Sequence, residues 1–162
     1  WEVLPSGEEK ILHNGHWEET AEDSTETRGF FIEDDGGFQK PMEFWIGAMT
    51  FTPDAKILIT GSRDNTIRFF EMPTMNELRV LRGHNGWVRS LTVSPDGKVL
   101  ISSGDDNTIR FWDIATGRNF RTDKTHTGPV RGVALSPDGL RLASASWDRT
   151  VKLWEGGQEP AE

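Results

Sequence analysis

The octapeptide Asp106-Asn107-Thr108-Ile109-Arg110-Phe111-Trp112-Asp113 has a counterpart 42 residues earlier, Asp64-Asn65-Thr66-Ile67-Arg68-Phe69-Phe70-Glu71, and another 42 residues later, Asp148-Arg149-Thr150-Val151-Lys152-Leu153-Trp154-Glu155. An unrelated landmark keeps the same gap-free step: Pro53-Asp54, Pro95-Asp96 and Pro137-Asp138. Two landmarks on one period mean that the chain repeats one structural unit. A unit this small cannot bury its apolar face alone, so consecutive units must stack and share their cores.

The middle unit shows what is repeated. Trp87–Val93 reads as a strand from its β-branched and apolar content, Ser94-Pro95-Asp96-Gly97 as a turn, and Lys98–Ser102 as the return strand. Gly104–Asn107 turns into Thr108–Trp112, and Ala115–Arg118 turns into a more polar fourth strand near Asn119–Thr122. Four consecutive strands make an antiparallel meander. In the third strand Ile109 and Phe111 alternate with Arg110 and Trp112, so both sides carry apolar surface, as a sheet packed on both faces requires. The fold expected is therefore all-β, built of four-stranded antiparallel propeller blades. The first unit repeats the plan with Trp45–Phe51, Lys56–Thr60, Thr66–Phe70 and Glu77–Arg82; the last offers Val130–Leu135, Leu140–Ser144 and Thr150–Trp154 but no fourth strand. The domain reading is three repeats over 42–155 (42–83, 84–125 and 126–155), with 156–162 as a tail.

Residues 1–41 differ in charge. They hold 11 acids and 3 bases, whereas 42–162 hold 15 of each, so the segment carries the whole formal charge of −8. Trp1–Gly7 and Lys10-Ile11-Leu12 can be laid on Leu91–Gly97 and Lys98-Val99-Leu100, with Gly29–Glu33 as a third strand, Gly37–Pro41 in the fourth-strand position and Glu18–Thr27 as an enlarged acidic loop. The segment is read either as a degenerate acidic blade or as an acidic arm. His13 and His16, three residues apart, fall in an expected loop and lack the further ligands that a metal site needs.

Several classes are excluded or disfavoured. The chain has no Cys, hence neither disulfides nor thiolate chemistry, which fits a cytoplasmic setting. It has no long apolar run to span a membrane and no dense basic stripe for nucleic acid. No nucleophile elbow, phosphate loop or dinucleotide fingerprint is present, so no catalysis, cofactor or metal is expected.

The paired Gly83-His84, Ser94-Pro95-Asp96-Gly97 and Trp112-Asp113 resemble the tryptophan–aspartate (WD) repeat family of β-propellers over about residues 42–155. The resemblance implies a hydrogen-bonded tetrad across each blade: His84, Ser102, Asp106 and Trp112 in the middle repeat, and His126, Ser144, Asp148 and Trp154 in the last. The first repeat departs, with Met42 for the His and Phe70 for the Trp, leaving Thr60 and Asp64. That blade should rely on apolar packing and be less rigid. The family's propellers mostly have more blades than this length supplies, so the resemblance implies part of a larger ring or a ring completed by self-association.

It also implies which side chains line the top face around the axis: Trp45, Gly47 and Arg63; Trp87, Arg89 and Asp105; Pro129, Arg131 and Trp147. Trp and Arg at these positions have the chemistry of interface hot spots. The expected function is a non-catalytic scaffold that binds a protein or peptide, acidic or phosphorylated, through Trp45, Arg63, Trp87, Arg89, Asp105, Arg131 and Trp147. The 18–27 loop is a candidate ligand of the same face, in cis or from a neighbouring chain. The alternative is a regulatory or sensor module within a larger protein that carries an enzyme or effector domain.

Overall fold

The computed structural model describes residues 45–155 together with the backbone of four short strands before them. The chain divides into two compact units, Trp1–Phe44 and Trp45–Glu162. In the first, β1 (Lys10–His13) pairs antiparallel with β2 (His16–Glu19), and β3 (Ile32–Glu33) with β4 (Gln39–Lys40). This corrects the expected meander in two places. Lys10–Leu12 pairs with the segment just after it rather than with Gly29–Glu33, and Glu18 and Glu19 belong to a strand rather than to the acidic loop. The cause is Asn14-Gly15, a dipeptide suited to the two-residue turn of a tight hairpin. It also makes His13 and His16 directly paired strand ends, not residues of the expected loop. Trp1–Gly7, the remainder of the 18–27 loop and the 156–162 tail lie outside the described residues.

The second unit holds three antiparallel meanders. The first sheet runs in order β5 (Ile46–Phe51), β6 (Ile57–Ser62), β7 (Thr66–Glu71), β8 (Glu77–Arg82). The second repeats it with β9 (Val88–Val93), β10 (Val99–Gly104), β11 (Ile109–Asp113) and β12 (Asn119–Asp123). The third has β13 (Val130–Leu135), β14 (Arg141–Ser146) and β15 (Val151–Glu155), and no fourth strand among the described residues. The strand that opens each sheet lies beside the opening strand of the next, β5 by β9 and β9 by β13, as in blades set around an axis. No closed ring is formed by the described residues.

The core lies between sheets, as a two-faced third strand requires. Ile59, Ile67, Phe69 and Leu81 of the first sheet cluster with Val88, Leu91, Leu100 and Trp112 of the second. The opposite face of the second sheet, through Ile101 and Ile109, clusters with Val130, Val133 and Leu142 of the third. Each such side chain contributes about 1.5–3 kcal/mol when fully removed from water, so the shared faces are the main adhesive between repeats. Polar ties reinforce them. The Arg79 guanidinium donates to the carbonyls of Ile114 and Ala115 at 3.0 Å each, and the Ser90 hydroxyl accepts from the Val133 N–H at 3.1 Å.

One irregularity recurs. In each opening strand the register skips a residue: Ile46 pairs with Ser62 and Ala48 with Gly61; Val88 with Gly104 and Ser90 with Ser103; Val130 with Ser146 and Gly132 with Ala145. The residues thrown out of the ladder are Gly47, Arg89 and Arg131, at the same position of each repeat. Such bulges bend the strand and re-aim a side chain.

Candidate functional site

In the first two sheets the octapeptide that sets the period buries its Thr, its Ile and its second aromatic residue: Thr66, Ile67 and Phe70, then Thr108, Ile109 and Trp112. In the second sheet the Trp112 indole N–H donates to the Ser102 hydroxyl at 2.8 Å, and Ser102 lies 2.7 Å from His84 Nε2. The other imidazole nitrogen, Nδ1, lies 2.9 Å from Asp106 Oδ2. With the hydroxyl donating to Nε2 and Nδ1–H donating to the carboxylate, every group of this buried relay is satisfied. Asp106 also accepts from the Asn85 N–H and from the Thr108 N–H and hydroxyl. The third sheet repeats the relay through Trp154, Ser144, His126 and Asp148 at 3.2, 2.7 and 2.7 Å. Burial opposes the charge on Asp106, but His84 and the N–H and hydroxyl donors around it outweigh that cost and hold its pKa far below the usual carboxylate range. For Asp148 the Thr150 hydroxyl is the largest cause of the same lowering, with His126 and the Thr150 and Thr127 N–H groups adding to it against desolvation. These acids are firmly ionised hydrogen-bond acceptors, unsuited to proton transfer near neutrality. Among the described residues no group of three or more His, Cys, Asp or Glu side chains is placed to hold a metal ion.

The first sheet solves the same problem differently. Asp64 accepts from the Thr66 N–H and hydroxyl and pairs with Arg68 at 3.1 Å, and Arg68 also reaches Glu77 at 2.9 Å. An ion pair on the blade thus engages the carboxylate that an imidazole engages in the other two. Phe70, in the place of the indole, is fully buried.

One residue before each of these acids, the chain turns onto one end of the sheets. The backbone fixes that position identically in all three: the Arg63 N–H donates to the Trp45 carbonyl, Asp105 to Trp87 and Trp147 to Pro129, at 2.8, 2.9 and 2.9 Å. Together with the bulge residues Arg89 and Arg131 and the acceptor residues Trp45 and Trp87, these positions bring the seven candidate side chains to one end face.

There they interleave. Trp45 meets Trp87 edge to face at 6.3 Å, and the Arg63 guanidinium stands 5.7 Å from the centroid of each ring. Arg89 lies over Trp87 at 3.5 Å, and Arg131 over Trp147 at the same distance. Asp105 joins the two halves: it accepts two bonds from Arg89 Nε at 2.9–3.0 Å and one from Nη2 at 2.7 Å, and lies 3.3 Å from Arg131 Nη1. Gly47 is required by the closeness of this packing, since a Cβ there would stand 2.4 Å from Trp87 Nε1. At the two ends of the series Trp45 and Trp147 are 54% and 66% exposed. Arg131 Nε and Trp87 Nε1 are buried and have no acceptor among the described residues.

The period and its register locate all seven positions. What they do not show is that Arg89 and Asp105 are partners, or that Asp105 reaches across to the next repeat's Arg131. The bulge that re-aims Arg89 and Arg131 has no local signature in residue type; only the strand pairing discloses it.

A protein-family model described as WD domain, G-beta repeat, matches residues 40–71, 75–113 and 117–155. Each match ends on the acidic residue that closes a third strand, Glu71, Asp113 and Glu155.

Proposed function

The chain belongs to the WD-repeat family, and from that premise we propose that it is a non-catalytic scaffold whose end face, built by Trp45, Arg63, Trp87, Arg89, Asp105, Arg131 and Trp147, binds a protein or peptide carrying acidic or phosphorylated groups. The family's domains are characteristically interaction modules. The observation that carries the finer reading is the alternation of indole and guanidinium groups across three consecutive sheets on one face. Its outer rings stay exposed, and of its three cations only Arg89 and Arg131 contact its one carboxylate. Indoles offer rigid apolar area with little ordering cost, and guanidinium groups bind carboxylate or phosphate through paired donors. The expected ligand is an extended acidic segment lying along the series.

A peptide array bearing acidic and phosphorylated sequences tests this. The wild-type chain should retain a subset of spots, and both Arg63→Glu with Arg131→Glu and Trp45→Ala with Trp147→Ala should lose them while the far-ultraviolet spectrum stays unchanged. Retention of the same spots by either pair would refute the reading.

The outward face of the third sheet bears on the second part of the proposal, that the three blades contribute to a larger ring. Val151 and Leu153 are 69% and 77% exposed there, on an edge strand that pairs with β14 alone among the described residues. On the second sheet the equivalent face is covered by the third. A further blade, from more chain or from a second copy, would cover it and remove the open edge. The lack of cysteine is what supports a cytoplasmic setting. No helix of the described residues is long and apolar enough to cross a membrane.

A further inference from the structure

The end face holds an acid where its proposed ligand would place one. Asp105 is a turn residue whose backbone is anchored by its N–H bond to the Trp87 carbonyl. Its carboxylate is bound on both oxygens by Arg89 and extends to Arg131. The two arginines are not held equally. Arg89 makes a short, bidentate pair, whereas Arg131 contacts Asp105 through Nη1 alone at 3.3 Å. Arg131 keeps its Nε buried and without an acceptor among the described residues, while its guanidinium is fixed flat on Trp147. It is therefore a pre-oriented cation with unused donors, partly neutralised from within the chain.

Resting on the reading of this face as an anion-binding surface, we propose that Asp105 is an intramolecular competitor for Arg131, setting a threshold that a dianionic phosphoryl group crosses and a single carboxylate does not. The reason is the balance of charge and tethering. A ligand carboxylate offers Arg131 the same charge that Asp105 already offers, and it must displace a group that tethering holds at high effective concentration. It also brings like charges together beside Arg89. A phosphoryl group carries about −1.5 to −2 charges near neutral pH and three acceptor oxygens, enough to engage both terminal nitrogens of Arg131, Nη1 and Nη2, on a side chain that is one quarter exposed. Asp105 then remains on Arg89, where its bidentate bonds need no rearrangement. The aromatic faces of Trp147 and Trp87 fix both guanidinium groups in advance, so binding costs little further ordering.

Phenyl phosphate and phenylacetate, of similar shape and different charge, serve as probes, their binding followed by tryptophan fluorescence and by the indole and arginine Nε–H resonances. The wild-type chain should bind phenyl phosphate with phenylacetate at least tenfold weaker, and Asp105→Asn should bind both more tightly, phenyl phosphate by about tenfold. Asp105→Ser, shorter and neutral, should show the same gain and serves where the amide variant is poorly folded. Arg131→Gln should lose phenyl phosphate binding and abolish the gain in the double variant. Unchanged or weakened phosphate binding in both Asp105 variants would overturn the inference alone, leaving Asp105 as a tie between blades. If the wild type and both variants bind neither probe, the reading of the face as anion-binding falls, and the competitor with it.

Discussion

Ser102 is the residue on which the interior of the second blade turns. Its hydroxyl accepts from the Trp112 indole and lies 2.7 Å from His84, and all three side chains are buried. Ser102→Ala would strand an indole N–H and an imidazole nitrogen together, each orphaned group costing about 1–3 kcal/mol. The expected loss in urea unfolding is roughly 2–4 kcal/mol. A loss below about 1 kcal/mol would mean that the relay is dispensable. The acid at the other end of the relay sets a pH dependence. Asp106 and Asp148 have depressed pKa values in the folded chain, so the unfolded chain takes up protons first as pH falls. Their contribution is complete above the ordinary carboxylate value of about 3.9 and is lost as pH drops below it. The thermal midpoint should therefore hold from neutrality to about pH 5 and fall steeply in more acid solution. Asp106→Asn should start lower and show a shallower acid limb; an unaltered slope would remove Asp106 from the account.

At the scale of strands and turns, much was legible in the sequence because the period supplied three readings of the first three strands and two of the fourth. All eleven strands from β5 to β15 fall within two residues at each end of where alternation and turn residues put them. Two things were hidden, for different reasons. The β1–β2 hairpin is hidden because the repeat register competes with the local Asn14-Gly15 turn signal, and the local signal wins. The bulges at Gly47, Arg89 and Arg131 have no such signal, because an extra residue in one strand shows only against its partner. The same repetition exposes a local inconsistency. The turn after β5 places Ala55 at φ 56°, where the equivalent turns place Gly97 and Gly139 at 71° and 73°. A Cβ in that region is strained, so Ala55→Gly should stabilise the chain by about 0.5–1 kcal/mol. Gly97→Ala should do the opposite; its Cβ would stand 3.5 Å from Pro53, so conformation and not collision would be the cause. Equal stability of Ala55→Gly and the wild type, measured by denaturant midpoint, would count against this.

For the molecule as a whole, the repeats hold each other by their faces, and so a terminal sheet is necessarily incomplete. The second sheet has both faces covered, with Leu100 and Trp112 against the first sheet and Ile101 and Ile109 against the third. The end face follows the same logic, since Arg63 bridges to Trp87 and Asp105 to Arg131 across successive sheets. The tryptophans and arginines that suggested an interface therefore also tie the blades together. Only their exposed flanks, Trp45, Trp147 and the outer part of the Arg131 guanidinium, remain for a ligand. The third sheet lacks a neighbour of this kind among the described residues, leaving Val151 and Leu153 exposed. Covering these two side chains is worth about 1.5–3 kcal/mol each, and closing the free edge of β15 would add to it. The isolated 18.3 kDa chain should therefore associate, with light scattering giving a mass that rises with concentration to a multiple of the monomer's. Val151→Lys with Leu153→Glu should return it to a single chain, and at dilutions where the wild type is also monomeric it should not lower the unfolding midpoint, because neither residue belongs to the two buried clusters. A wild-type chain that stays monomeric at high concentration and melts cooperatively would show that three blades suffice without the ring.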